Sequence, residues 1–222
     1  MNEHAQVIVQ SESVLATNKL IRNTYILLSA TLLFSAAIAT LAFATSAPML
    51  NVWVTIGGYF GLLFVTYALR NSAWGLMSVF ALTGFMGYTL GPIINVYVGH
   101  FGNGTQIVAY AMASTGAIFL GLSAYALTTR KDFSFMRGFL LVGVLVLFVA
   151  GIANIFLQMP ALALAISSAM VLLMSAMILF QTSELVHGGE DNYILATIGL
   201  YVSIYNLFLS LLQLFGVFGG DE

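Results

Sequence analysis

Seven long apolar runs, separated by short polar breaks, dominate the sequence and leave few folds open to it. Each run has about 20 residues or more, the length that a helix needs to cross a hydrocarbon core about 30 Å thick. Backbone polar groups inside a bilayer must be satisfied within their own segment, so each run is predicted to be a helix. The predicted spans are Thr24–Ser46, Met49–Leu69, Ser72–Val98, Thr105–Thr128, Phe135–Leu157, Pro160–Gln181 and Tyr193–Phe218. We therefore predict an all-α membrane protein, a bundle of seven transmembrane helices.

The composition supports a chain that is embedded in a lipid bilayer. Of its 222 residues, 60% are hydrophobic and 6% are charged, whereas soluble domains carry about 25% charged residues. The net charge is −2 and the few basic residues are scattered, so nothing indicates nucleic-acid binding. The chain has no cysteine, which excludes disulfides and thiolate metal sites.

Two domains are predicted, a soluble tail over residues 1–23 and a membrane domain over residues 24–222. The tail mixes a short apolar stretch with polar residues and is too short to fold alone, so we expect it to be disordered or ordered by a partner. Only Ala47 and Pro48 separate the first two spans. Because the uninterrupted stretch would be too long for one crossing, a tight hairpin is predicted there.

All basic residues fall on one side of the predicted bundle. They are Lys19, Arg22, Arg70, Arg130, Lys131 and Arg137. With seven spans, this side holds the tail and the breaks after the second, fourth and sixth helices. The positive-inside rule then predicts a cytoplasmic N-terminus and a periplasmic C-terminus.

No ionisable residue lies in the middle of a predicted span. A charge at the bilayer centre costs about 2.5–3.5 kcal/mol, and proteins keep one there mainly for proton relays, ion pathways or counter-ions. Its absence argues against a proton-coupled pump. The signatures of membrane proteases, such as H-E-x-x-H, are also missing. We therefore predict no enzyme, and no catalytic, cofactor or metal site.

The last span carries a regularly spaced set of small and polar residues. The set is Gly199, Ser203, Asn206, Ser210 and Gln213. This spacing places all five on one helical face. The face either makes hydrogen bonds to another helix, which we favour, or lines a polar cavity.

Small residues elsewhere predict close contacts between helices. The third span carries Gly84, Gly87 and Gly91 on one face, followed by Pro92 and Asn95, so Gly91, Pro92 and Asn95 could form a packing hinge or a gate. Two further ladders of small residues are predicted to be contact faces. They are Ala109, Ala113, Ala117 and Gly121 in the fourth span, and Gly57 with Gly61 in the second.

A polar segment at 181–193, QTSELVHGGEDNY, joins the last two spans. Glu184 and His187 would share a helical face, and Glu190 and Asp191 could add oxygen ligands, so a metal site is conceivable. One carboxylate and one imidazole supply two ligands where tetrahedral zinc needs three or four. We therefore favour a solvated cytoplasmic connection.

A family resemblance covers the chain from about Lys19 to Leu212. It is carried by five stretches: IRNTY (21–25), GFMGYTLGPIIN (84–95), SAYALTTRKDFSF (123–135), ANIFLQMPALALAIS (153–167) and SELVHGGEDNYILATIGLYVSIYNLFLSLL (183–212). These closely resemble bacterial members of the Bax-inhibitor family, also called the transmembrane Bax inhibitor motif family. The resemblance implies a seven-helix inner-membrane protein that binds the FtsH protease. It implies a poor FtsH substrate, engaged through its cytoplasmic tail, that restrains degradation of other membrane proteins.

Two other functions remain open. Other members of the family look like calcium-leak channels with a pH-sensing pair of membrane aspartates. Those positions correspond here to Gln181 and Ser203, neither of which ionises, so this resemblance weakens the prediction of a calcium or proton leak. A scaffold that assembles with other membrane subunits would need no site at all. No oligomeric state is predicted.

Overall fold

The described part of the chain forms seven helices that are long and apolar enough to cross a membrane. In this computed structural model the backbone of residues 3–219 and the side chains of residues 17–219 are described. The helices are α1 (Glu3–Ala44), α2 (Val52–Leu69), α3 (Trp74–His100), α4 (Gly104–Thr129), α5 (Arg137–Leu157), α6 (Pro160–His187) and α7 (Tyr193–Gly219). A short 3₁₀ helix, Ser134–Met136, precedes α5. The predicted helical class and all seven predicted spans are confirmed.

Helix α7 is the centre of the bundle. It packs against α1, α3, α4 and α6, and it is buried along most of its length. Helices α2 and α5 are peripheral, because α2 packs mainly on α3 and α5 mainly on α6. Most of the surface of these two helices is exposed and apolar, as expected for helices that face lipid.

The contact between α1 and α3 depends on the predicted glycine face. A Cβ atom at Gly87 would lie 2.4 Å from the carbonyl oxygen of Ser35, and one at Gly91 would lie 2.4 Å from the Cβ of Ala42. Both distances are too short for any side chain larger than hydrogen. The glycines therefore allow the two backbones to approach closely, as predicted, and α1 is the neighbour.

The other two small-residue ladders were wrongly predicted to be contact faces within the bundle. Ala109, Ala113, Ala117 and Gly121 are exposed, and nothing lies within 4 Å of a Cβ built at Gly57 or Gly61. Helix α4 instead buries the face that carries Ile107, Ala111 and Thr115. The buried face also carries Gly104, Ser123 and Ala126, so α4 does pack inward through small residues, but on a different face from the predicted one.

The α1–α2 hairpin forms where it was predicted. Ser46 has a positive φ of 49°, and the amide of Ala47 donates to the carbonyl of Ala42 at 2.9 Å. This is a Schellman ending, which satisfies the last carbonyls of α1 and reverses the chain before α2.

Two boundaries differ from the prediction by more than three residues. Helix α6 continues past Gln181 to His187, because the buried side chains of Thr182 and Leu185 pack into the bundle. It ends at Gly188, whose φ of 74° suits a glycine after the last helical turn. Helix α1 begins at Glu3, so the backbone of residues 3–23 is helical, where we expected a segment that is disordered or ordered by a partner. That segment contains neither glycine nor proline, so nothing in its backbone stops the helix.

Candidate functional site

The structure brings Gln181 and Ser203 together across α6 and α7. The Ser203 hydroxyl lies 3.1 Å from Oε1 of Gln181 and 3.0 Å from the carbonyl oxygen of Gly199, and its one proton is shared between these two acceptors. Ser203 is 2% exposed. The two positions that the family resemblance leads us to expect for an aspartate pair are therefore adjacent, and here they form a neutral hydrogen bond.

This pair lies at one end of a cavity of about 540 Å³ within the membrane-spanning region. Side chains from α2, α3, α5, α6 and α7 line the cavity, and most of them are apolar or aromatic. Its polar groups include Gln181, Ser203, Asn206, Thr89 and Tyr205. We call this space the main cavity.

A smaller cavity of about 200 Å³ lies between the main cavity and the end of α6. Glu184, Gly189 and Glu190 line it, and Gln181 and Gly199 line both cavities. A Cβ at Gly199 would lie 3.0 Å from Nε2 of Gln181, so a side chain there would displace the glutamine. We call this smaller space the vestibule.

Two of the remaining residues of the α7 set, Gln213 and Asn206, face α6 and the main cavity respectively. Gln213 accepts a hydrogen bond of 2.6 Å from the Ser167 hydroxyl of α6. Asn206 lines the main cavity and donates to the carbonyl of Val202 at 2.8 Å. Ser210 is buried. The set thus combines interhelical hydrogen bonds with cavity lining, the two roles that its spacing left open.

A second polar face of α7 was missed from the sequence. Tyr201 lies 2.5 Å from the Ser35 hydroxyl and donates to the carbonyl of Thr83 at 3.3 Å, which ties α7 to α1 and α3. One turn further on, Tyr205 bonds to Thr89 of α3 at 2.7 Å. Aromatic residues in a membrane span are ordinarily apolar contacts, so only the tertiary pairing identifies these hydroxyls as polar links.

The possible hinge on α3 is packed against the end of α1. Gly91 abuts Ala42, and Asn95 donates to the carbonyl of Phe43 at 3.0 Å. Helix α3 runs unbroken through Pro92 from Trp74 to His100. The three residues therefore belong to the α1–α3 contact.

The polar segment joins α6 to the loop between α4 and α5. The Ser183 hydroxyl donates to the carbonyl of Lys131 at 3.0 Å and accepts from the amide of Phe133 at 3.1 Å. The ring nitrogens of His187 face the carbonyls of Ser183 and Arg130 at 2.9 and 3.0 Å. Carbonyls only accept hydrogen bonds, so both form together only when both ring nitrogens carry a proton.

Acidic side chains of the same region also serve local contacts. Glu184 forms an ion pair with Arg137, and the carboxylate of Glu190 accepts from the amides of Asp191 and Asn192. In the α4–α5 loop, hydrogen bonds from Ser134 to the carboxylate, aided by the charge of His187, hold the pKa of Asp132 below its usual value. Among the described residues no group of three or more metal-binding side chains occurs.

The breaks that carry the basic residues meet at this end of the bundle. Asn192 of the α6–α7 connection donates to the carbonyl of Arg70 at 3.2 Å and to the side chain of Asn71 at 2.8 Å. The α4–α5 loop, with Arg130 and Lys131, packs on α6 beside it. The structure thus gathers the positive charges of these loops on one face.

Comparison with known proteins identifies the family. Residues 17–220 match the model of the Bax1-I family, described as inhibitor of apoptosis-promoting Bax1. The chain is 50% identical to the Escherichia coli K12 protein named modulator of FtsH protease YccA, over 94% of both chains. The same identity and coverage hold for the protein of another E. coli strain named inner membrane protein YccA. An uncharacterized protein of Pseudomonas aeruginosa is 57% identical over 91% of this chain and 90% of its own length.

Proposed function

The chain belongs to the Bax1-I family of Bax inhibitors, and we propose that it modulates the FtsH protease in the bacterial inner membrane. It is then a regulator of a protease and not itself an enzyme. Its relative of 50% identity carries the name modulator of FtsH protease, and that likeness over 94% of both chains is the observation on which the proposal rests. We propose further that it restrains FtsH as a substrate that is engaged but hard to unfold.

The tail before the first span is the proposed point of engagement. FtsH is an ATP-dependent membrane protease, so a segment that it pulls on must lie in the cytoplasm. The clustering of basic residues at one end of the bundle favours this orientation, with the N-terminus cytoplasmic and the C-terminus periplasmic. Residues 1–23 are thus proposed as the engaged arm and residues 24–222 as the resisting body.

Resistance to extraction is supported by where α1 sits. Residues 3–23 of the arm are the first part of α1, so force applied to the arm acts first on that helix. Helix α1 is packed against α3 and α7, and its Ser35 and Phe43 make hydrogen bonds to Tyr201 and Asn95. A pull from the N-terminus therefore meets the central part of the bundle before the peripheral α2 and α5.

The tail's role is tested by deleting residues 2–18. Full-length and truncated proteins are each co-reconstituted with FtsH and a second membrane substrate, and turnover of that substrate is followed over time. We expect the full chain to co-purify with FtsH and to slow the turnover, and the truncated chain to lose both effects. Undiminished restraint by the truncated chain would refute the role of the tail.

A calcium or proton leak is the alternative function. The observation in its favour is that the main cavity and the vestibule meet at Gln181. Against it, the Gln181–Ser203 pair is neutral and the lining of the main cavity is largely apolar, which offers little to an ion that must shed its water. Calcium flux into proteoliposomes would decide, because a leak that disappears in Ser203→Ala or Asn206→Ala would favour the channel.

A further inference from the structure

We propose that the main cavity and the vestibule together hold one phospholipid with an amine-bearing, zwitterionic headgroup. One acyl chain would occupy the main cavity, an ester group would lie at Gln181, and the ammonium group would lie in the vestibule. This inference concerns a lipid site and does not depend on any action on FtsH.

The shape of the main cavity favours a single alkyl chain. Its lining follows α6 from Met170 to Gln181, a rise of about 16 Å at 1.5 Å per residue. A volume of 540 Å³ has room for roughly 18 groups of about 30 Å³, the size of a water molecule or a methylene group. A transmembrane helix is 10–12 Å across and would fit for only about one turn. The cavity is therefore too narrow for a helix from a partner.

On one side the main cavity is lined by partly exposed residues of α2 and α5. Phe60 of α2 and Phe148 of α5 meet edge to face there, with ring centroids 5.7 Å apart. These rings are 45% and 43% exposed. Because the two helices pack mainly on other neighbours, these rings can separate without disturbing the core around α7. A chain can thus enter sideways from the lipid.

The lining combines adaptable apolar side chains with unsatisfied polar groups. Met86, Met170, Met174 and Met177 contribute flexible thioethers, which adapt to ligands of irregular shape. Among the described residues, Oε1 of Gln181 accepts from Ser203, whereas its Nε2 donates to no protein group. An ester carbonyl of a bound lipid would accept a hydrogen bond from this amide group, which borders both cavities.

The charge of the vestibule selects the headgroup. Two carboxylates, Glu184 and Glu190, line it, and the exposed Arg137 pairs with the first of them at the rim. An ammonium group is complementary to the carboxylates, and a phosphate is complementary to the guanidinium. An anionic headgroup without an amine could pair its phosphate with Arg137 but would offer no cation to the carboxylate of Glu190. We therefore infer preference for phosphatidylethanolamine over phosphatidylglycerol.

The test uses the full chain reconstituted in bilayers of equal parts phosphatidylethanolamine and phosphatidylglycerol. The protein is extracted in a mild detergent, and the retained lipid is identified by native mass spectrometry. We expect one phosphatidylethanolamine per chain, retained about tenfold over phosphatidylglycerol. Retention in the bilayer ratio, or preference for the anionic lipid, would overturn the proposal.

Three variants separate the parts of the site. Val202→Phe fills the main cavity and should abolish lipid retention. The control is Gly116→Phe, which fills a separate cavity of about 400 Å³ between α1, α3, α4 and α7. This control should retain the lipid as the unaltered chain does. Glu190→Gln keeps an oxygen for the two amides it caps but removes a charge, so the lipid should remain bound with its headgroup preference reduced. Equal retention by Val202→Phe and the unaltered chain, or unchanged preference in Glu190→Gln, would refute the site. Thermal melting of each variant verifies that it is folded.

Discussion

Single hydroxyl groups on α7 hold the central helix to its neighbours. Tyr201 is 2% exposed and links Ser35 of α1 to the carbonyl of Thr83 on α3. Hydrogen bonds between helices in a membrane contribute about 0.6–2 kcal/mol each. We expect Tyr201→Phe to lower the free energy of unfolding by about this amount, measured by denaturing-detergent titration in mixed micelles.

The matched control for this change is Tyr110→Phe. Tyr110 is 61% exposed on α4, so loss of its hydroxyl should leave the unfolding free energy unchanged. Equal stability of Tyr201→Phe and Tyr110→Phe would contradict the role given to the buried hydroxyl.

At the residue scale, part of the α7 surface was predictable from the sequence. Helical spacing alone placed Gly199, Ser203 and Asn206 on one face, and in the structure all three line the main cavity. Helical spacing could not predict the link between Tyr201 and Ser35, which are 166 positions apart in the chain. Such a link depends on which helices become neighbours, and no local pattern encodes that.

Between elements, the α1–α3 contact depends on glycine. We expect Gly87→Val to lower the free energy of unfolding by about 1–3 kcal/mol, because its Cβ would overlap the backbone of Ser35. Gly57→Val is the control, since nothing lies within 4 Å of a Cβ at that position. The same detergent titration compares the two, and an equal effect of both substitutions would show that close approach is not required.

The α4–α5 loop provides a second test between elements. His187 and Ser183 hold its backbone at Arg130 and Lys131, which are also sites of cleavage by trypsin. We expect His187→Ala to release the loop and to speed cleavage there several-fold in vesicles that expose this face.

The control for the loop experiment is His100→Ala. His100 is exposed at the end of α3, on the opposite face of the bundle. Its loss should leave cleavage unchanged, and equal rates in all three proteins would contradict the contact. Cleavage at Arg130 and Lys131 in vesicles whose outer surface is the periplasmic face would contradict the proposed orientation.

The existence of the helices was predictable, but their arrangement was not. Lipid requires about 20 apolar residues for each span, so every helix could be read from its length. Helix α5 has a mean hydropathy of 2.8 and faces lipid, whereas α7, at 1.8, is the buried centre. Helix α2, at 1.7, is nevertheless peripheral, so hydropathy does not rank burial. The sequence prediction also placed the wrong face of α4 inward, because composition and spacing do not show which face of a helix meets a neighbour.

For the whole molecule, the account joins an N-terminal arm to a body that resists extraction. The arm leads into α1, α1 packs on α3 and α7, and the peripheral α2 and α5 lie away from the path of the pull. If resistance of the body causes the restraint, weakening the body should turn a restrainer into an ordinary substrate. The tail deletion tests engagement, whereas loosening the α1–α3 contact tests resistance.

The most direct test measures two degradation rates in the same vesicles, that of this protein and that of a second membrane substrate of FtsH. The unaltered chain and Gly87→Val, both with the tail intact, are compared over a series of protein concentrations. We predict that the unaltered chain is degraded slowly and slows the second substrate in proportion to its amount, whereas Gly87→Val is degraded faster and restrains less. If the loosened chain restrains FtsH as strongly as the unaltered chain while being degraded faster, resistance to extraction is not the cause of restraint.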